Sequence, residues 1–173
     1  MKTLLLMRHA KSSWAEPGLS DFDRPLNRRG IEAAPRMAHW LEERRLIPDT
    51  ILVSSAMRTR QTIDLMREAV PTLPEPSFEK RLYHAAPGEM LNTLARLPDT
   101  AKQVMLIGHE PGLSILTQQF AGGQADADCA RAFSHFPTAA IAVLKFEIEE
   151  WSGIARQIGS FVSFAVPREQ PAR

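Results

Sequence analysis

The chain has 173 residues, of which 44% are apolar and 24% charged, with a formal net charge of +1 and a single cysteine. That length suits one domain with a substantial core, and the composition is that of an ordinary globular protein rather than a disordered one. No apolar run approaches the roughly 20 residues needed to span a bilayer, and the lone Cys129 excludes an internal disulfide and a cysteine-rich zinc site, leaving packing as its expected role.

The first predicted element is a buried strand, Leu4-Leu5-Leu6-Met7, which stops at Arg8-His9-Ala10. Ligands of open α/β sheets gather beyond the carboxyl ends of strands, so a basic pair there would meet an anion. The amino terminus lacks the small-residue cleavage site of a signal peptide, which points to a cytoplasmic protein. Residues 10–26 show no periodicity and contain Pro17, Gly18 and Pro25, so they read as a long loop able to cover the strand end. The first thirty residues carry Lys2, Arg8, Lys11, Arg24, Arg28 and Arg29 against Glu16, Asp21 and Asp23. So focused a field suits a small anion rather than nucleic acid, which asks for an extended basic stripe.

A helix is predicted from an Asn27 cap, with Ile31, Ala34, Ala38 and Leu41 on one face, an awkward Pro35 inside, and an end near Arg44-Arg45. A second strand, Thr50–Ser55, precedes a helix bearing Thr59, Ile63, Met66 and Val70, which puts Arg58 in the first helical turn. Residues 71–76 are a connection, Phe78–Tyr83 a third strand, and Pro87 opens a helix with Met90, Leu91, Leu94 and Leu97 facing inward. The run Val104-Met105-Leu106-Ile107-Gly108 repeats the design of the first strand and ends on His109. A helix through Leu113, Leu116 and Phe120 then stops at Gly122-Gly123. Residues 124–137 read as a polar loop, Ala139–Phe146 and Ala155–Phe164 as a hairpin around residues 149–153, and residues 167–173 as a frayed polar tail.

Alternating strands and helices imply right-handed crossovers. The expected fold is α/β: a three-layer α/β/α sandwich, residues 1–166, with a mainly parallel sheet and an antiparallel C-terminal edge hairpin.

Arg8, His9, Arg58 and His109 thus lie beyond strand ends or at a helix start, with Arg24 on a loop able to fold over them. Arginine does not ligate metals and repels cations, so no metal or cofactor is expected. Guanidinium forks and a neutral imidazole nucleophile instead make a phosphoryl pocket. His84, just past a strand end, is either a surface residue or a pocket wall, and Tyr83 stands where an acid might be sought. Asp21, Asp23 and Glu79 read as solvated charges, His39 and His135 as ordinary, Trp40 and Trp151 as packing, and Trp14 as a lid residue or a loop anchor. Arg28, Arg29 and Arg60 read as a solvated basic rim that could receive an acidic substrate.

Four segments carry a resemblance: Leu6-Met7-Arg8-His9-Ala10, Arg24-Pro25-Leu26-Asn27-Arg28-Arg29-Gly30, Val53-Ser54-Ser55-Ala56-Met57-Arg58-Thr59-Arg60-Gln61-Thr62 and Gly108-His109-Glu110-Pro111. In order and spacing they are similar to the histidine phosphatases of the phosphoglycerate-mutase-like superfamily, and the short length with Asp-Arg-Pro-Leu most resembles the small SixA-type phosphohistidine phosphatases. The resemblance implies a covalent phosphohistidine on His9, with Arg8, Arg58 and His109 in the phosphate pocket and Arg24 as the additional arginine of the small subgroup. Two departures stand out: Ala10 replaces the usual glycine, and the glutamate proton donor of many relatives is missing from Glu79-Lys80-Arg81-Leu82-Tyr83-His84-Ala85. The implied substrate is a phosphorylated protein or a small phosphorylated molecule, and the implied state a monomer or weak dimer. The competing expectations are a mutase, disfavoured because the chain lacks room for covering insertions, and a silent phosphate-binding module. A dinucleotide protein is excluded because no GxGxxG follows the first strand.

Overall fold

The computed structural model describes residues 1–172. A six-stranded sheet runs in the order β3-β2-β4-β1-β5-β6, built from β1 (Lys2–Arg8), β2 (Thr50–Ser54), β3 (Pro76–Glu79), β4 (Gln103–Gly108), β5 (Ile141–Phe146) and β6 (Ser160–Ala165). The β1, β2, β3 and β4 strands are mutually parallel, whereas β5 pairs antiparallel with β1, and β6 antiparallel with β5. The expected sandwich with its antiparallel edge is therefore what forms.

The alternation of side chains along the strands explains the layers. On one face Leu4, Leu6, Leu52, Val104, Leu106 and Ala142 pack under α3 (Pro87–Leu94), α4 (Gly112–Phe120) and α5 (Ala127–Ala130). On the other Leu5, Met7, Ile51, Val53, Met105 and Ile107 pack under α1 (Arg28–Glu43) and α2 (Met57–Ala69). Because both faces are covered, the central strands are apolar at nearly every position, which is why they read as continuous runs in the sequence.

Several expectations need correction. Ile31 is 49% exposed, lying beside Leu26 and Leu65 at the surface; Gly30, Ala34, Met37, Ala38 and Leu41 form the buried face of α1. The helix runs through Pro35, capped at its start by Asn27 Oδ1 accepting from the Gly30 N–H at 3.0 Å. The third strand ends at Glu79, and Lys80–Leu82 form a 3₁₀ turn that buries Leu82 and redirects the chain toward the site. Residues 127–133 are helical rather than loop, since Asp126 caps α5 through the Cys129 N–H and Cys129 and Ala132 are drawn into the core. The expected strand from Ala155 begins only at Ser160, because Trp151–Arg156 form a 3₁₀ segment that buries Trp151 and Ile154. Pro167–Glu169, expected to fray, form a 3₁₀ turn, and Glu169 pairs with Arg131. Cys129, Trp40 and Trp151 are buried as expected.

Candidate active site

The carboxyl ends of β1, β2 and β4 bring together side chains that are distant in sequence. His9 leaves β1 with its backbone gripped on both sides: its N–H donates to the Gly108 carbonyl at 3.1 Å and its carbonyl accepts from the Ala139 N–H at 3.0 Å. The next N–H, of Ala10, donates to Thr62 Oγ1 on α2 at 3.0 Å. Within the ring, Nδ1 lies 2.7 Å from the Ala10 carbonyl, so Nδ1 carries the proton and Nε2 keeps its lone pair for the pocket. Burial, together with the charges of Arg58, Arg8 and Arg24, lowers the pKa of His9 to about 3 against the help of that carbonyl. At neutral pH the imidazole is therefore uncharged.

Arg58, 2% exposed in the first turn of α2, is held on two edges. One edge faces the histidines, with Nε 3.4 Å from His9 Nε2 and Nη2 3.3 Å from His109 Nδ1. The other grips Asp21, Nη1 donating to its backbone carbonyl at 2.7 Å and Nη2 to Oδ2 at 3.1 Å. His109, at the end of β4, places Nε2 2.7 Å from Ser54 Oγ at the end of β2. An Arg58 donor on Nδ1 makes Nε2 the protonated nitrogen of a neutral ring, and burial followed by the charges of His9, Arg58 and His84 depresses its pKa in the same way. The two rings stand 5.3 Å apart between centroids, so both imidazoles and the Arg58 fork converge on one small volume.

Asp21, expected to be a solvated charge, is instead the hub of the site. Its Oδ1 accepts from Arg24 Nε at 3.1 Å and Nη2 at 3.0 Å, and its Oδ2 accepts from Arg58, from Tyr83 OH at 2.6 Å and from His84 Nε2 at 2.9 Å. Partial burial would raise this carboxyl's pKa. The hydrogen bonds from Tyr83, His84 and Arg24, with the charge of Arg58, outweigh that and hold it far below the usual carboxylate range. The phenol of Tyr83 is conversely pushed up by burial and by Asp21, so it remains a donor.

Arg24 and the loop that carries it are fixed from several directions. Its Nη1 donates to Ser12 Oγ at 2.8 Å and to the Ser13 carbonyl at 3.2 Å, and the exposed Trp14 ring stacks 3.5 Å from its guanidinium carbon. The loop's two ends pair through the Ser12–Leu26 bridge, and Gln61 Oε1 on α2 accepts from the Leu26 N–H at 2.7 Å. Gly30 is required beneath it, since a Cβ there would lie 2.2 Å from the Lys11 carbonyl oxygen. On the opposite wall Gly112 lets α4 approach the Ala85 carbonyl, where a Cβ would sit 2.3 Å away, and His84 is held with φ +49°. The His84 ring is 5.1 Å from that of His109, and its side chain is 51% exposed.

Arg8 departs from the group. Its Nη1 donates to the Phe136 carbonyl at 3.0 Å, and it acts on His9 through charge rather than contact. Its Nε is buried without a partner. Glu79 takes no part in the cluster and pairs with Arg81, while Arg60 stacks on Phe78 at 4.1 Å. Among the described residues no group of three or more His, Cys, Asp or Glu side chains is placed to hold a metal ion.

Asp21, Ser54 and Thr62 do not stand out in the sequence as site residues. The signal for Asp21 is its three-residue spacing from Arg24, which lets both ends of the turn at Asp21–Asp23 meet.

Residues 4–90 match the family model of the histidine phosphatase superfamily, branch 1. The chain belongs to the histidine phosphatase superfamily. An uncharacterized protein of Mycobacterium tuberculosis strain H37Rv is 36% identical over 165 residues, covering 94% of this chain and all of the relative. Among solved structures, a protein from Agrobacterium tumefaciens provisionally assigned as phosphohistidine phosphatase SixA is 32% identical with a TM-score of 0.80, covering 96% of this chain and 98% of that one. A counterpart from Nakamurella multipartitia with the same provisional assignment is 26% identical with a TM-score of 0.83, covering 96% of each chain. Superfamily membership and these SixA-type neighbours support phosphatase activity as the class. No helix among the described residues is long and apolar enough to cross a membrane.

Proposed function

We propose that the protein hydrolyses phosphohistidine in proteins, or small phosphorylated molecules, by a metal-independent reaction through a covalent phosphohistidine on His9. The observation that carries this reading is the placement of the Arg58 Nε–Nη2 edge between His9 Nε2 and His109 Nδ1, with both imidazoles buried and neutral. A phosphoryl group entering there draws the Arg58 Nε–H and Nη2–H donors onto its oxygens, and so uncovers the His9 Nε2 lone pair that Arg58 otherwise caps at 3.4 Å.

In the first step His9 Nε2 attacks phosphorus, the new N–P bond forms, and the bond to the leaving nitrogen or oxygen breaks with its electron pair. Arg58 and Arg24, with Arg8 acting through its charge, stabilise the phosphoryl oxygens, and His109 closes the far wall. In the second step water attacks phosphorus, inorganic phosphate departs, and His9 is regenerated. The missing glutamate donor is answered by His84, whose Nε2 is held by Asp21 Oδ2 and whose side chain is 51% exposed at the mouth of the pocket. With its ring 5.1 Å from that of His109, His84 is the side chain placed to protonate a departing atom.

The test is labelling. Rapid quenching with a ³²P-labelled phosphohistidine protein should trap acid-labile label on the wild type and on His84→Ala, and none on His9→Ala. Undiminished label on His9→Ala refutes the nucleophile. Binding of phosphate without turnover of an aryl phosphate or of phosphoramidate would instead establish a silent phosphate-binding module.

A further inference from the structure

Beside the catalytic pocket lies a second cavity of about 410 Å³, lined among others by Arg8, Lys11, Arg29, Arg36, His135 and Arg168. Five of those side chains are cationic in a protein whose formal net charge is only +1, so the concentration is local rather than average. Three acids lie nearby: Glu32, on the cavity wall, pairs with Arg28 at 3.0 Å, Glu169 is held by Arg131, and Glu110 acts on Arg8 through its charge. Among the described residues, Lys11, Arg29, Arg36 and Arg168 have no carboxylate within 4.0 Å. Arg8 joins this cavity to the reaction, because it lines the wall, leads from β1 directly into His9, and keeps its Nε buried without a partner.

We infer that this cleft docks an acidic segment of the phosphorylated protein, next to the histidine being dephosphorylated; the inference rests on the proposed phosphohistidine activity. Uncompensated guanidinium groups recognise carboxylates bidentately and speed association with an oppositely charged surface. The dimensions favour a polypeptide over a single small anion. Arg29 and Arg36 are seven residues apart on α1, about 10 Å along its axis, and Lys11, His135 and Arg168 come from three other segments. Such a spread matches the spacing of carboxylates one or two helical turns apart, and exceeds what one phosphoryl group can touch. The exposed Lys11, Arg29 and Arg168 lie at the rim, where a partner's surface would meet them.

The experiment uses the full chain and two synthetic peptides phosphorylated on histidine by phosphoramidate, one flanked by glutamates and one by serines. The wild type should show a KM at least tenfold lower for the glutamate-flanked peptide, with a preference that collapses as salt is raised. The triple variant Arg29→Glu, Arg36→Glu, Arg168→Glu should lose that preference while its kcat/KM on an aryl phosphate stays within twofold of wild type, which also shows that it is folded. Fluorescence anisotropy with the unphosphorylated glutamate-flanked peptide supplies a readout independent of turnover: at least tenfold weaker binding to the triple variant is expected. Equal binding to wild type and variant, or no preference between flanks, overturns the docking surface while leaving the phosphatase reading intact. A preference that instead tracks a second phosphate on a small bisphosphate also overturns it. Absence of turnover on every substrate, with charge-dependent peptide binding retained, overturns the phosphatase reading alone.

Discussion

Replacing Asp21 by asparagine isolates the part played by the hub carboxylate. The substitution keeps the shape and the backbone carbonyl that holds Arg58 Nη1, but it changes one acceptor oxygen into a donor. Asp21 accepts five side-chain hydrogen bonds from Arg24, Arg58, Tyr83 and His84. If the new amide nitrogen faces Arg24 it meets two donors, and if it faces the pocket it meets three. Charge-assisted hydrogen bonds contribute about 1.5–3 kcal/mol each when buried, but solvent weakens them strongly, and the side chain of Asp21 is 40% exposed. Taking the Arg58 and Arg24 contacts at about 1 kcal/mol each gives ~2 kcal/mol, or roughly 30-fold in kcat/KM if the Arg58 edge presented to the phosphoryl group swings away. The assay is steady-state hydrolysis of an aryl phosphate near pH 7, with thermal unfolding in parallel. A variant within twofold of wild type in kcat/KM would refute the claim that Asp21 positions Arg58.

Three further outcomes are expected. His84→Ala should slow aryl phosphates with poor leaving groups at least tenfold while leaving activated ones nearly unchanged, so a plot of rate against leaving-group pKa steepens; an unchanged slope removes His84 as proton donor. His9 and His109 titrate far lower in the folded chain than the ordinary value of 6.5, His9 at about 3, so between those limits the unfolded chain binds more protons. Their contribution is complete above about pH 6.5 and declines as pH falls toward 3; urea unfolding should show a shallower loss over that window in His109→Gln than in wild type, whereas the contribution of Asp21 is lost only as pH falls through and below the ordinary carboxylate value of 3.8. Gly30→Ala would force a Cβ against the Lys11 carbonyl, so a loss of about 2 kcal/mol, or roughly 4–8 °C in Tm for a chain of this size, is expected together with reduced turnover; an unshifted Tm would show that the loop yields freely.

The main lines of the architecture are visible in the sequence because a doubly covered sheet leaves an unmistakable mark: β1, β2 and β4 are short apolar runs, and each leads into polar residues that the sheet then aligns at one edge. His9, Arg58 and His109 are legible for the same reason, since their positions derive from strand ends and a helix start. The third strand is displaced because Phe78 and Leu82 look alike in a sequence, yet only the chain up to Glu79 pairs with β2; residues 80–82 turn instead, delivering Tyr83 and His84 to the pocket. Asp21 is invisible as a hub because its partners Arg58, Tyr83 and His84 lie 37, 62 and 63 residues away, and a charged residue in a loop carries no periodic signal of such contacts. The cationic cleft is hidden likewise, being gathered from four separate segments. By sequence alone Arg29 belongs, with Arg28 and Arg60, to a basic rim that could receive an acidic substrate; the fold is what stands Arg36, His135 and Arg168 beside it.

The two-edged hold on Arg58 has a consequence for exchanging segments between relatives. One half of its guanidinium is steadied not by the helix that bears it but by a residue of the long connection after β1. Grafting that connection from another member would therefore retune a cation whose own codon was never touched, and chimeras built to alter selectivity should change turnover as well.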